Sequence, residues 1–251
     1  MLINQCKLCL CTSELQVSHV IGRSVFRNIL KNAGKNYVLR PIIKENKIIR
    51  TNDQWALPLL CRGCESLLNR KYENYSLWVL KNKQKKVSHF ETKNSLIISN
   101  VDQYRLKLYV LSIYWRAAHS SHEAYRAMEI NEGIDELLRK VLMGEVRLPS
   151  EYLHVKISKI IDLSNGFSAE DLKGMIVSPF IRIINEKLSI CLIFEGYFFE
   201  IFFDELSIFE RSINGVLKDK KRIVRIPKVD IFSIPELVKN MIEIIGIHRN
   251  T

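Results

Sequence analysis

The sequence predicts an α+β protein in three consecutive parts: a metal-bound finger (residues 1–90), a helical region (91–165) and a C-terminal antiparallel sheet with a closing helix (166–251). Three observations lead to this prediction. Two C-x-x-C pairs lie in the first third of the chain, a strong helical periodicity follows, and turn signals then separate runs rich in Ile, Phe and Tyr. A chain of 251 residues is long enough for one large domain or two small ones.

The cysteine pairs Cys6–Cys9 and Cys61–Cys64 have the ligand spacing of a structural zinc site. A two-residue spacer lets both thiolates of a tight turn face one ion, and four thiolates complete a tetrahedral shell. One such pair alone could be two buried thiols or a redox pair, but two pairs favour zinc over disulfides in a reducing compartment. Gly63 lies in the second turn, where a positive φ is expected.

Two other cysteines remain outside this set. Cys11 is too close to Cys9 to add a fifth ligand to a tetrahedral ion, and Cys191 lies in an apolar run. Both are predicted to be small buried side chains of the core.

The net charge of +11 is concentrated in the first part of the chain. Residues 1–90 contain 16 Lys and Arg against five Asp and Glu, whereas residues 91–251 contain 22 of each kind. Solvation of individual lysines does not explain this segregation, but binding of phosphates does. Nucleic acid is therefore the predicted partner, with DNA favoured over RNA.

The finger contains a predicted strand at residues 15–21, which ends near His19, and a predicted helix at residues 23–30. Residues 37–50 predict strands interrupted by Pro41 and by a turn at 45–47. This basic insert must bring the cysteine pairs together, because 51 residues separate Cys9 from Cys61. The side chains expected to contact phosphates are Arg23, Arg27, Arg40, Lys44, Lys83, Lys85 and Lys86, the last three in a flexible strip at 81–86.

Helices are predicted for residues 65–78, 101–119, 134–143 and 151–163. The first carries Glu65 and Glu73 on one face. The second has a buried apolar stripe, and its Arg116 is expected to pair with a carboxylate at the junction with the finger rather than to contact phosphate. Two histidines, His119 and His122, close this helix and need no metal to explain them.

The last third predicts an antiparallel meander over residues 175–203, a further strand at 223–227 and a helix from about residue 234. Its aromatic strands suit a core, with a contact surface for a protein partner or an oligomer as the weaker interpretation. The chain has no run of 18 apolar residues and no basic-then-apolar leader. We therefore expect no membrane insertion and a cytoplasmic location.

The finger resembles the zinc-stabilised HNH (ββα-metal) endonucleases, in which a histidine ends a strand and a helix begins at the second cysteine pair. The stretches that carry the resemblance are Cys6-x-x-Cys9, Val17-Ser18-His19-Val20-Ile21 and Leu59-Leu60-Cys61-x-x-Cys64-Glu65. Further on, Ser112-x-x-Trp115-Arg116 is similar to an element of a group of bacterial HNH-type proteins. That likeness would extend to about residue 160.

The resemblance implies a metal-dependent endonuclease. His19 would be the general base that activates a water, and a Mg²⁺ or Mn²⁺ ion would stabilise the charge on the phosphate. Glu65 stands where the family binds or supports that ion, and Glu73 on the same helix is a second candidate ligand. Asn52 corresponds loosely to the asparagine that orients the base. A role in defence against phage is implied by the resemblance alone.

Two departures from the family pattern leave a second function open. Ser18 stands where many members have an Asp or His ligand, and Glu65 replaces the last residue of the motif. Glutamate can ligate a hard cation, whereas serine is a poor ligand. The alternative is therefore a zinc finger that binds nucleic acid without cutting it, or that serves as an adaptor for another protein.

Overall fold

The structure, a computed structural model, describes residues 3–32, 38–42, 47–51, 55–184 and 186–239. Over these residues the chain is a mixed α+β fold with three β-sheets and several helices, as the sequence predicts at this level. In the part of the chain that the structure describes, no helix combines the length and the apolar character that crossing a membrane requires.

The first part of the chain forms a three-stranded sheet, a separate hairpin and a long interrupted helix. The elements are β1 (Ile3–Gln5), β2 (Thr12–His19), α1 (Arg23–Asn32), β3 (Val38–Ile42), β4 (Lys47–Thr51), β5 (Ala56–Cys61), α2 (Arg62–Leu68), a π-helical turn (Asn69–Glu73) and α3 (Asn74–Leu80). The sheet has the order β1-β2-β5, and β3 pairs with β4. The expectation that Pro41 interrupts a strand is wrong, because Pro41 lies inside β3, opposite Ile48.

The rest of the chain builds a seven-stranded sheet around one long helix. The elements are β6 (Ser88–Glu91), β7 (Ser95–Ser99), α4 (Gln103–His119), a 3-10 turn (Glu123–Tyr125), α5 (Glu132–Met143), β8 (His154–Ile161), α6 (Ala169–Lys173), β9 (Val177–Ile184), β10 (Lys187–Phe194), β11 (Tyr197–Phe202), α7 (Ile208–Ser212), β12 (Ile223–Asp230) and a second 3-10 turn (Ile231–Ser233). The strand order is β6-β7-β12-β8-β11-β10-β9.

The predicted antiparallel meander is confirmed as β9, β10 and β11, with a tight turn at Glu195 and Gly196, both at positive φ. The sheet is larger than expected, since it also takes in β6 and β7 from residues 88–99 and the central strand β8. The predicted boundary at residue 165 therefore falls between two strands of one sheet. All neighbours are antiparallel except β8 and β12, which are parallel.

The prediction of a helix at residues 151–163 is wrong, because most of this segment forms β8. This strand lies between β11 and β12, and both of its faces are covered, with Val155 and Ile157 fully buried and Ser158 nearly so. A strand covered on both faces lacks the strict alternation that identifies a half-exposed strand. The spacing of its apolar residues consequently resembled a helix.

The helix predicted for residues 101–119 is confirmed as α4, but it is buried on nearly all sides rather than along one stripe. Thirteen of its 17 residues are buried. Tyr109 packs edge-on against Phe194 of the sheet, and Tyr114 packs against Phe203. The opposite side of the helix contacts the π-helical turn of the finger. Such all-round burial is typical of a helix at the centre of a domain.

The C-terminal segment covers the other face of the sheet. Ile231, Ile234 and Leu237 pack with Cys191 and Phe198 in a second apolar cluster. Residues 235–239 are helical, in agreement with the start of the predicted closing helix. The remainder of that helix lies outside the described residues.

Gly215→Ala should lower the free energy of unfolding by at least about 2 kcal/mol, because the alanine would be held at a left-handed φ. Gly215 has φ +92°, and a Cβ there would lie 2.4 Å from the carbonyl oxygen of Ile157 in the central strand. Urea denaturation of the full chain measures the change. As the control, Gly133→Ala lies in the first turn of α5, where a Cβ meets only Asn131 Oδ1 at 3.7 Å, and should be neutral or slightly stabilising. Equal stability of the two variants would contradict the strain assigned to Gly215.

Candidate metal centre and the adjoining strand end

Four cysteine thiols converge where β1, β2, β5 and α2 meet. The sulfurs of Cys6, Cys9, Cys61 and Cys64 all lie within 4.8 Å of one another. A tetrahedral zinc ion with bonds of about 2.3 Å separates its sulfurs by about 3.8 Å, and the sulfurs of Cys9 and Cys61 are 3.9 Å apart. The four cysteines can therefore hold a metal ion such as zinc after only small adjustments. Among the described residues, no other group of Cys, His, Asp or Glu side chains is arranged to hold a metal ion in this way.

Backbone amides already support negative charge on these sulfurs. The N–H of Cys61 donates to Cys6 Sγ at 3.3 Å, and that of Cys64 donates to Cys61 Sγ at 3.5 Å. Burial opposes ionisation of Cys61, but hydrogen bonds from Cys64 and from the other thiols outweigh it and lower its pKa to about 7. Burial raises the pKa of Cys6 and Cys64. A bound divalent cation would reverse that effect, since coordinated thiols lose their protons.

Two expectations about this region are wrong. Gly63 lies inside α2 in helical conformation, and the residue at positive φ is Leu10, with φ 62°, directly after the first cysteine pair. Cys11 is exposed rather than buried, because it lies at the surface end of the β1–β2 turn. Cys191 is buried in the sheet, as predicted.

Ser18 is a structural residue of the finger sheet. The pairing of β2 with β5 shifts register between Gln16 and Val17, directly before Ser18. The buried Ser18 hydroxyl accepts a hydrogen bond from that N–H at 3.2 Å and donates to the Gln16 carbonyl at 3.3 Å. The hydroxyl thus bonds both strands of the finger sheet, and a larger ligand side chain at this position would disturb these bonds.

His19 is the last residue of β2 and lies half-buried opposite Ala56. Leu15 is the residue opposite Cys61, so four residues, or about 13 Å of strand, separate His19 from the level of the cysteines. Arg116 of α4 reaches this strand end and donates from Nη1 to the His19 carbonyl at 2.7 Å. The expected pairing of Arg116 with a carboxylate is confirmed, since its Nη2 lies 3.6 Å from Glu73 Oε2.

Glu73 is a buried carboxylate beside the strand end. It lies nine residues after Cys64, about 13 Å along a helix, and this brings it to the level of His19. Its Oε1 packs against Gly22, where the Cβ of any other residue would come within 2.1 Å of that oxygen. Sequence reasoning identified Glu73 but missed Gly22. A glycine that directly follows the apolar Val20 and Ile21 was the available signal.

Glu65 occupies the first turn of α2, one residue after the last cysteine. Its Oε1 is buried and has no hydrogen-bond partner among the described residues. An orphaned carboxylate oxygen can accept a cation. The third predicted catalytic residue, Asn52, lies outside the described residues.

The predicted phosphate contacts fall on exposed surface wherever their side chains are described. Arg23 and Arg27 are exposed on α1, whose opposite side buries Val25 and Phe26. The side chains of Lys83, Lys85 and Lys86 are exposed after the end of α3. Arg40 lies in β3, and Lys44 lies outside the described residues.

Comparisons of this chain with protein-family models, with curated proteins and with solved structures found no match.

The purified chain should contain about one zinc ion, and Cys61→Ser should lose it together with the folded finger, because a structural site contributes its binding free energy to folding. Atomic absorption gives the metal content, and limited proteolysis of residues 1–90 reports the folding. Cys11→Ser is the matched control, since Cys11 is exposed and outside the cluster. Loss of zinc in both variants, or a folded wild-type chain without metal, would contradict this assignment.

Proposed function

We propose that this protein is a metal-dependent endonuclease of the HNH type that cleaves phosphodiester bonds in nucleic acid, DNA in the first instance. The observation that carries the proposal is that one buried arginine, Arg116, contacts both the main chain of a strand-end histidine and a buried carboxylate. His19 and Glu73 are connected through Arg116, and Glu73 closes against Gly22 three residues beyond the histidine. A histidine can act as the general base for a water that attacks a phosphodiester, and a nearby carboxylate can hold the cation that stabilises the phosphate charge.

The local topology also supports the proposal. β2 pairs antiparallel with β5, β5 leads directly into α2, and the four cysteines lie near the junction of strand and helix. This ββα order places a strand end and a helix face opposite each other. A metal-bound cysteine cluster would hold the small sheet on the helix, which a core of this size does poorly alone.

In this mechanism the half-buried His19 takes a proton from the attacking water, and its main chain is fixed by the bond from Arg116. A bound Mg²⁺ or Mn²⁺ would supply charge stabilisation at the phosphate and at the leaving oxygen. Mg²⁺ is commonly bound through one or two carboxylates, with waters and substrate phosphates completing its shell. Glu73, at the level of His19, is the first candidate for that carboxylate, and Glu65, at the level of the cysteines, is the second. Ser18 is occupied in the sheet and is not assigned to the ion.

The exposed cations around the finger provide a surface for the phosphate backbone. Arg23 and Arg27 lie on α1, which starts four residues after His19, and the lysines at 83, 85 and 86 follow the helix that carries Glu73. Such contacts position a nucleic acid without reading its bases. Defence against phage remains the biological role that we propose from the family resemblance.

Ser18 favours a second function. Because its hydroxyl bonds Leu60 and Gln16, the finger has a structural residue where a nuclease would have a ligand. A finger built in this way can bind nucleic acid or another protein without catalysis.

Wild-type protein with Mg²⁺ or Mn²⁺ should nick or linearise supercoiled plasmid, and His19→Ala should reduce the rate by at least about 100-fold, since general-base catalysis contributes roughly 10²–10⁴. Agarose-gel assays over time measure the rate. Glu73→Gln and Glu65→Gln, tested separately, identify which carboxylate serves the ion. His89→Ala, a half-buried histidine of β6, is the matched control.

Cutting that survives His19→Ala removes this residue from the mechanism. The second function, binding without cutting, is correct if protein that carries zinc and binds nucleic acid cuts neither plasmid nor linear DNA nor RNA.

Neutralising Lys83, Lys85 and Lys86 to Gln should reduce the slope of log affinity against log salt by up to about 0.9 for each phosphate of duplex DNA that these lysines neutralise. Affinity should fall equally for unrelated DNA sequences, because these side chains contact the backbone. Fluorescence anisotropy at several salt concentrations measures both. Lys218, Lys220 and Lys221, changed together to Gln, form the control, since they lie beyond the basic first 90 residues. A smaller slope in the control variant alone would place the binding surface in the C-terminal part.

A further inference from the structure

We infer that Arg116 is a positioning residue of the proposed active site: it fixes the main chain of His19 and the carboxylate of Glu73 relative to each other. This inference rests on the proposed function and assigns a role to a residue that touches neither substrate nor metal. It explains why a charged side chain lies at the centre of the protein.

The contacts of Arg116 connect three elements. Its Nη1 donates to the His19 carbonyl at the end of β2, and its Nη2 faces Glu73 at the end of the π-helical turn. Its Nε donates at 3.3 Å to the carbonyl of Ser112, one turn earlier on α4. The planar guanidinium thus donates to two carbonyls, those of Ser112 and His19, while it faces Glu73 as an ion pair, and the single ammonium of a lysine cannot reproduce this arrangement.

The burial of Arg116 makes these contacts specific. The residue is 2 % exposed, and Glu73 is 8 % exposed. A buried cation without a partner is strongly unfavourable, so the arginine holds its carboxylate and its carbonyl rather than exchanging them for water. Within the described part of the chain, Nη2 has no geometrically good hydrogen bond in addition to this ion pair.

The helix that carries Arg116 is itself anchored on its other side. The indole N–H of Trp115 donates to Asp135 of α5 at 2.6 Å, and the ring of His119 bonds the same carboxylate oxygen at 2.8 Å. Adjacent residues Trp115 and Arg116 thus bind opposite neighbours. A displacement of α4 relative to α5 would be transmitted through Arg116 to the end of β2.

Arg105 of the same helix provides a matched control. It also binds the finger through main-chain carbonyls, with Nη2 donating to Arg70 at 2.9 Å and Nε donating to Lys71. These carbonyls belong to the π-helical turn and not to β2. Replacing Arg105 therefore weakens the contact between α4 and the finger without releasing His19.

The test compares Arg116→Met with Arg105→Met by cleavage kinetics, zinc content and NMR. Arg116→Met should lower kcat about 100-fold, the effect of a small misplacement of a catalytic group, and should leave KM for DNA within about twofold and zinc at one per chain. Arg105→Met should leave kcat within about threefold. In ¹³C-labelled protein, the carbonyl resonance of His19 should shift in Arg116→Met and not in Arg105→Met.

Equal decreases of kcat in the two variants, or an unchanged kcat in folded Arg116→Met, would overturn the inference. If Arg116→Met does not fold, Arg116→Lys is used in its place, because the lysine keeps a positive charge beside Glu73. This variant should lower kcat about tenfold and shift the carbonyl resonance of His19. If wild-type protein cuts no nucleic acid, the proposed function fails and the NMR comparison alone judges the positioning role. An unmoved His19 resonance would then overturn it.

Discussion

The burial of α4 is the constraint on which the rest of the structure depends. An apolar helix of this length needs neighbours on every side, and it obtains them from the sheet on one side and from the finger and α5 on the other. Because water is excluded, each polar side chain on α4 needs a partner within the protein. These partners then connect parts of the chain that are far apart in sequence.

Three polar residues of α4 show this effect. Gln103 donates to the carbonyls of residues 221 and 223 and accepts from the N–H of Lys218, which fixes the loop before β12. Lys107 is 2 % exposed and lies 3.6 Å from Asp219; its burial lowers its pKa. Arg116 reaches the finger instead. The helix thus holds the loop near its N-terminal end and the finger at both ends, through Arg105 and Arg116, and its charged groups specify how these parts meet.

Local sequence predicted the elements that have a strong period or a recognisable spacing. The spacing of the cysteines identified the thiol cluster, and the apolar stripe of residues 101–119 identified α4. The turn signal at Glu195 and Gly196 identified the meander. Sequence failed where tertiary burial overrides periodicity, as in β8, and where a short strand such as β6 has too few residues for a pattern. The sequence indicated that Arg116 pairs with a carboxylate, but not with which one. The partner is Glu73, which lies 43 positions earlier in the chain. No local rule contains that information.

The π-helical turn at Asn69–Glu73 has a consequence for the length of the chain. A turn of this kind holds one residue more than an α-helical turn, and it frees carbonyls such as those of Arg70 and Lys71 for Arg105. Removing one residue here would restore a regular α-helix and leave everything after it in nearly the same orientation, because the extra residue of the turn is the one that is lost. Trp78 would stay exposed and Leu77 buried. What the extra residue supplies is therefore the pair of accessible carbonyls that bind Arg105, and a descendant of this sequence that lost it would have to join α4 to the finger in another way.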